Sequence, residues 1–150
     1  DRLVNAVAAA AWHNLPAIVV DFGTATTLDL IGPRGAYEGG IIAPGVNLSI
    51  EALYMAAARL PRIVVKPWQR DMPVLGTDTI SAMQSGVFWG YVGMVEGLLT
   101  RLRHSYGADL PAIVTGGLAP LFADHINGPL FVDADLTLKG LVRIHALNNM

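Results

Sequence analysis

The run Ala17-Ile18-Val19-Val20 leads straight into Asp21-Phe22-Gly23-Thr24-Ala25-Thr26-Thr27-Leu28-Asp29, and this stretch restricts the fold more than any other. The apolar, β-branched run reads as a buried strand, and Thr27 to Ile31 reads as a second one. An acid therefore stands at a strand end. The glycine after it permits a tight turn with exposed amide hydrogens, and the hydroxyls of Thr24, Thr26 and Thr27 add short donors around that turn. Such a build suits phosphate oxygens, and an acid beside it suits the cation that travels with them, so nucleotide handling is the first function it suggests. The same residues also fit an ordinary hairpin with a structural Asp in its turn.

The remaining elements follow from periodicity. Asp1 to Asn14 has apolar residues at helical spacing and closes before Pro16. Tyr37 to Ile42 reads as a third strand, joined to the second through Gly32-Pro33-Arg34-Gly35, which makes three antiparallel strands. After Gly39-Gly40 and Pro44-Gly45 a helix is expected, capped by Asn47 or Ser49 and carrying Ile50, Leu53, Tyr54 and Ala57 on one face. Leu60 to Val74, with Pro61, Pro67 and Pro73, reads as a surface loop. From Asp78 to Tyr106 one long helix, or two in series, carries Gly86, Gly90, Gly93 and Gly97. Those glycines weaken a helix unless a neighbouring backbone packs closely, either a second subunit or the sheet. Pro111 to Val114 reads as a buried strand before Thr115-Gly116-Gly117, followed by a helix from Leu118 to His125, a short strand Leu130 to Val132, and a last helix through His145 that Asp133 and Asp135 cap. The expected fold is one α/β unit: a mixed sheet with an antiparallel three-strand start and packed helices.

Only 15% of residues are charged against 53% apolar, a balance that suggests a surface partly covered by another subunit or domain. A net charge of −2 without a basic cluster gives a nucleic-acid partner no electrostatic support. Cysteine is absent, which excludes disulfides and thiolate metal sites. The four histidines stand at no metal-ligand spacing, and neither a G-x-S-x-G elbow nor an H-E-x-x-H motif is present. The most apolar stretch, Val87 to Leu99, is too short for a bilayer and is interrupted by Gly90, Gly93, Glu96 and Gly97, so a cytoplasmic protein with no membrane partner is expected. Because it begins at Asp1, within a helical pattern, the chain reads as a piece of a longer protein.

The strand order and the D-x-G-T turn resemble the second domain of the actin, hexokinase and heat-shock ATPase superfamily, a ribonuclease H-like actin-type ATPase domain. More closely, the sequence resembles the C-terminal half of type III pantothenate kinases. The blocks that carry this are Asp1-Arg2-x-x-Asn5, Asp21-x-Gly23-Thr24-Ala25-x-Thr27-x-Asp29, Gly39-Gly40-x-Ile42-x-Pro44-Gly45, Ala57-x-x-Leu60-Pro61, Gly76-x-x-Thr79, Thr115-Gly116-Gly117 and Asp135-Leu136-x-Leu138-x-Gly140-Leu141.

The resemblance implies transfer of the γ-phosphoryl group of ATP to the primary hydroxyl of pantothenate, the first step of coenzyme A synthesis. It implies Asp1 as general base, Arg2 on the pantothenate side, and Thr79 bonding pantothenate from a neighbouring subunit of a homodimer. It places the required monovalent cation, potassium or ammonium, at Asp21, with Mg²⁺ accompanying ATP. It puts Gly23 and Thr24 at the ATP phosphates and Gly116 and Gly117 near the adenosine. Arg2 as a surface salt-bridge residue and Thr79 as a helix cap are the structural alternatives. The family's first domain, with its own phosphate loop, is absent here, so this chain alone is expected not to turn over. The rival functions are a non-catalytic regulator or scaffold on the same fold, and another small-molecule kinase of the superfamily.

Overall fold

The structure, a computed structural model describing residues 1–150, starts with helix α1 (Arg2–Trp12) and continues as β1 (Ala17–Phe22), β2 (Ala25–Ile31) and β3 (Tyr37–Pro44). Helices α2 (Val46–Ala56) and α3 (Thr79–Tyr106) follow, then β4 (Ala112–Thr115), the short α4 (Ala119–Phe122) with a 3-10 turn Ala123–His125, β5 (Leu130–Val132) and α5 (Leu136–Asn148). The five strands form one sheet in the order β3-β2-β1-β4-β5. The β1–β2 and β2–β3 pairs are antiparallel, and β4 and β5 run parallel to β1. The three-strand antiparallel start and the mixed α/β class are as the sequence suggests, and this arrangement is that of a ribonuclease H-like, actin-type ATPase domain.

Strand alternation sends the residues of β1 to two different cores. Ile18, Val20 and Phe22 meet Phe88, Tyr91, Val95 and Leu99 of α3 and Phe122 of α4 in the larger core. Phe22 stacks on Phe122 at 5.6 Å between ring centroids, and Phe88 stacks on the same ring at 5.2 Å. Each of these fully buried aromatics contributes roughly 1.5–3 kcal/mol by leaving water. On the other face Ala17 and Val19 join Ile31 and Ile113 under Ala6, Ala8 and Ala9 of α1 and Leu136 of α5. The alanines of α1 are what let that helix lie close to the sheet.

Three local expectations need correction. The N-cap of α2 is Gly45, not Asn47 or Ser49, because the chain turns into the helix while still against the β1–β2 turn, where a side chain has no room. Asp133 does not cap α5. Its buried carboxylate accepts hydrogen bonds from Lys139 Nζ at 2.8 and 2.9 Å and lies 2.9 Å from His13 Nε2, tying the end of α1 to the start of α5. Burial alone would push this carboxyl up, but the bonds from Lys139 and His13 hold it below the usual carboxylate range. Asp135 occupies the N-cap position without a side-chain cap bond.

Candidate functional site

Since β4 lies parallel beside β1, both strands end at the same edge of the sheet, with Asp21 facing Thr115. The returning β2 places Thr27 opposite Asp21 and Asp29 opposite Val19. By strand alternation Asp21, Thr27, Asp29 and Thr115 share the α1 face of the sheet. The apolar half of that face is covered by α1 and α5, and the polar half lies at the carboxyl ends of the parallel strands, where open α/β sheets bind their ligands.

Two glycine turns rim this edge. Gly23 and Thr24 are exposed between β1 and β2, and a side chain at Gly45 would run into the Thr24 carbonyl, so α2 starts directly against this turn. After β4, Gly116 adopts φ +100°, and a methyl group there would fall 2.6 Å from the backbone N and O of Phe22. Both the dihedral and the contact demand glycine. The Gly116-Gly117 turn thereby touches the end of β1, and the two turns flank one strand end.

The first turn of α1 reaches the same edge. Asn5, 1% exposed, donates from Nδ2 to Asp21 Oδ2 at 3.0 Å and accepts from Thr137 Oγ1 at 2.7 Å through its own Oδ1. The Thr137 bond fixes the amide so that its N–H group faces the carboxylate. Asp21 Oδ1 has no hydrogen-bond partner in the chain. Burial pushes the Asp21 carboxyl up; the Asn5 bond opposes this and the negative charge of Asp29 adds to it. Asp1 stands one turn before Asn5 on α1, with the Asn5 amide donating to the Asp1 carbonyl at 2.8 Å. Asp1 is exposed, and although it is the N-cap of α1 its side chain makes no cap bond, so its carboxylate is not committed to holding the helix.

Arg2 is bound inside the chain rather than spread on the surface. Its Nε and Nη2 donate to Asp29 Oδ1 at 2.9 and 2.7 Å, and Nη2 also donates to the Tyr37 hydroxyl. Sequence reasoning assigned no task to Asn5, Tyr37, Asp29 or Thr137. For Asn5 and Asp29, their presence inside the two acidic blocks was the available signal.

Thr79 is not part of this group. It is the first residue of α3, whose cap is Asp78, bonded reciprocally with Ser81. The backbone and hydroxyl of Ser81 hold the Asp78 carboxyl below its ordinary range. Thr79 instead lines a groove of about 670 Å³ between α2 and α3, with Val46, Leu53, Leu60, Met83 and Met94. Gly86, Gly90 and Gly93 lie along α3, and a side-chain carbon at any of them would meet nothing within 4 Å. The close packing that these glycines suggest is therefore not made by the sheet.

The profile of the family described as type III pantothenate kinase matches residues 1–101, two-thirds of the chain. A curated type III pantothenate kinase from Paramagnetospirillum magneticum is 54% identical over 149 residues, covering 99% of this chain and 56% of that protein. This chain belongs to the type III pantothenate kinase family. A second kinase of that description, from Acidiphilium cryptum, is 55% identical over 149 residues, with 99% and 54% of the two chains covered. The chain thus spans about half the length of the curated relatives it matches. Among solved structures, a conserved Baf family protein from Campylobacter jejuni, described as a transcriptional activator, superposes with a TM-score of 0.65. It is 22% identical and covers 98% of this chain and 64% of that one, a likeness that shows the shared fold.

For a type III pantothenate kinase the donor set fits the expected ligands. A single carboxylate with one free oxygen suits a monovalent ion, or a Mg²⁺ held mainly by phosphates and water, better than an all-protein metal cage. In the β1–β2 turn the Gly23 amide donates to the Ala25 carbonyl at 3.2 Å, so the exposed Thr24 is the residue of that turn whose amide suits a phosphate oxygen.

Proposed function

We propose that this chain is the C-terminal actin-like ATPase domain of a cytoplasmic type III pantothenate kinase, the two-domain enzyme that phosphorylates pantothenate with ATP. The observation that carries the reading is the meeting of the first turn of α1, through Arg2 and Asn5, with Asp29 and Asp21 beside the turns at Gly23-Thr24 and Gly116-Gly117, Asp1 being the N-cap of that helix, in a chain whose relatives bear that description. The acceptor hydroxyl oxygen attacks the γ-phosphorus, the bond to the bridging oxygen breaks, and ADP leaves. Asp1 takes the hydroxyl proton, and Arg2 aligns the acceptor through its carboxylate. The Thr24 amide holds a phosphate oxygen, Gly23 lets that oxygen approach bare backbone while its own amide closes the turn on the Ala25 carbonyl, and Gly116 and Gly117 bring bare backbone to the adenosine side. Asp21 would hold a monovalent cation, which together with Mg²⁺ accompanying ATP would supply positive charge against the developing negative charge of the phosphoryl group.

A homodimer belongs to the same reading. Thr79 lies apart from the polar edge, in an apolar groove beside an open glycine stripe, which suits packing against a second copy and delivery of Thr79 to that copy's pantothenate.

The test is a coupled assay with ATP, pantothenate, Mg²⁺ and K⁺. The intact protein should form phosphopantothenate and ADP, depend on K⁺ or NH₄⁺, and scatter light as two chains. This chain by itself should be silent, since nucleotides in this superfamily sit between two domains. Turnover by the isolated chain, or an inactive intact protein, overturns the reading.

A further inference from the structure

We propose that Asp29, together with the Tyr37 hydroxyl, is a positioning residue that aims the Arg2 guanidinium and so makes the enzyme prefer a carboxylate-bearing acceptor. The proposal rests on the reading of Arg2 as the group that meets the pantothenate carboxylate.

Asp29 is 1% exposed and sits in the middle of β2, a costly place for a carboxylate. Its Oδ1 accepts three bonds, from Arg2 Nε at 2.9 Å, Arg2 Nη2 at 2.7 Å and the Tyr37 hydroxyl at 2.8 Å, while its buried Oδ2 has no partner. A tie made for stability alone would be expected to use both oxygens of the carboxylate, and buried ion pairs are in general poor stabilisers compared with apolar contacts of similar size. What this arrangement does accomplish is orientation. The Nε and Nη2 edge of the guanidinium is held by Asp29 and Tyr37, and the Tyr37 ring lies 5.6 Å from the guanidinium carbon. Nη1 has no partner within the chain and remains for a ligand.

The strand beside Asp29 is shaped to the same end. Gly40 of β3 pairs with Asp29 across the sheet, and a methyl group there would overlap Asp29 Oδ1 and lie 2.5 Å from Arg2 Nη2. Bare backbone on β3 is what leaves room for the guanidinium. An arginine side chain ordered before its ligand arrives loses less freedom on binding, so the hold on Arg2 should appear as affinity for the group that Arg2 recognises.

The experiment compares the intact wild-type protein with Asp29→Asn and Tyr37→Phe on two acceptors: pantothenate, and its neutral counterpart in which the carboxylate is replaced by a hydroxymethyl group. The neutral compound is read as a substrate or, where turnover is slow, by its inhibition constant. Asp29→Asn should lower kcat/KM for pantothenate about tenfold, through KM, while the neutral acceptor and the KM for ATP change by less than about twofold. Tyr37→Phe keeps the ion pair and should show the same selective loss at about threefold, which decides the matter if Asp29→Asn does not fold. Equal losses on both acceptors mean a merely structural role and overturn the inference, as does no loss on either. A wild-type protein that does not phosphorylate pantothenate overturns the reading of the site and this inference with it, whereas an active wild type with unselective variants overturns the inference alone.

Discussion

Replacing Asp1 by Asn in the intact protein should lower kcat by about 10²–10⁴-fold, the range that a positioned proton acceptor contributes. The KM values for ATP and pantothenate should stay within about threefold, because Asn keeps the size and leaves Arg2 and the phosphate turns untouched. The thermal midpoint should barely move. An acid at a helix N-cap ordinarily stabilises the helix by accepting a backbone hydrogen bond, but the Asp1 side chain makes none and is exposed. A large loss of rate without loss of fold separates a chemical role from a structural one. It also separates the kinase from a regulator or scaffold on the same fold, which would have no need of this carboxylate. Steady-state kinetics beside a thermal melt give the answer, and a variant retaining more than about a third of the rate removes Asp1 from the chemistry.

The second large effect runs in opposite directions for activity and stability. Asp21→Asn should remove most of the turnover and the response to potassium, yet raise the melting temperature at neutral pH by up to about 3 °C. Burial raises the folded-state pKa of Asp21, against the Asn5 bond, and Asp29 raises it further. The native state therefore binds the Asp21 proton more tightly than the unfolded chain does. Stability from this group is complete below the ordinary carboxylate pKa of about 4 and is lost as pH rises through the raised value. At pH 7 the ionised Asp21 is a net cost. Solvent screening at this half-buried site keeps that cost modest. Asparagine removes the charge and still offers Asn5 an oxygen acceptor. The gain should therefore shrink as the melts are repeated toward pH 4, and a variant that melts below the wild type at neutral pH contradicts this account.

Much of the fold is legible in the sequence because its signals are local. The β1–β2 hairpin follows from two β-branched runs around a glycine turn, and α3 from apolar residues recurring at three and four over 28 residues. The placement of β4 beside β1 is not legible in that way, since Asp21 and Thr115 meet only through a parallel crossover. The polar ties escape sequence reasoning for the same reason: Arg2 reaches Asp29, His13 reaches Asp133 and Asn5 reaches Thr137, each across a separation that no periodicity records. The start of α2 is misjudged because capping preferences favour Asn or Ser, whereas contact with the Thr24 carbonyl excludes any side chain at position 45. Of the two neighbours that the α3 glycines suggest, the sheet is not the one, since Gly86, Gly90 and Gly93 face open space within the chain. The acidic and glycine blocks fall on the end of β1 and the helix turn that bonds to it through Asn5, while Thr79 stands apart on the α2–α3 groove.

The most direct measurement is a crystal structure of the intact protein with a non-hydrolysable ATP analogue and Mg²⁺. The account predicts a phosphate oxygen within about 3.2 Å of the Thr24 backbone amide, packed against Gly23, with Asp21 Oδ1 facing a cation and the adenosine against Gly116 and Gly117. A nucleotide bound elsewhere, with the β1–β2 turn in contact with solvent alone, would contradict it.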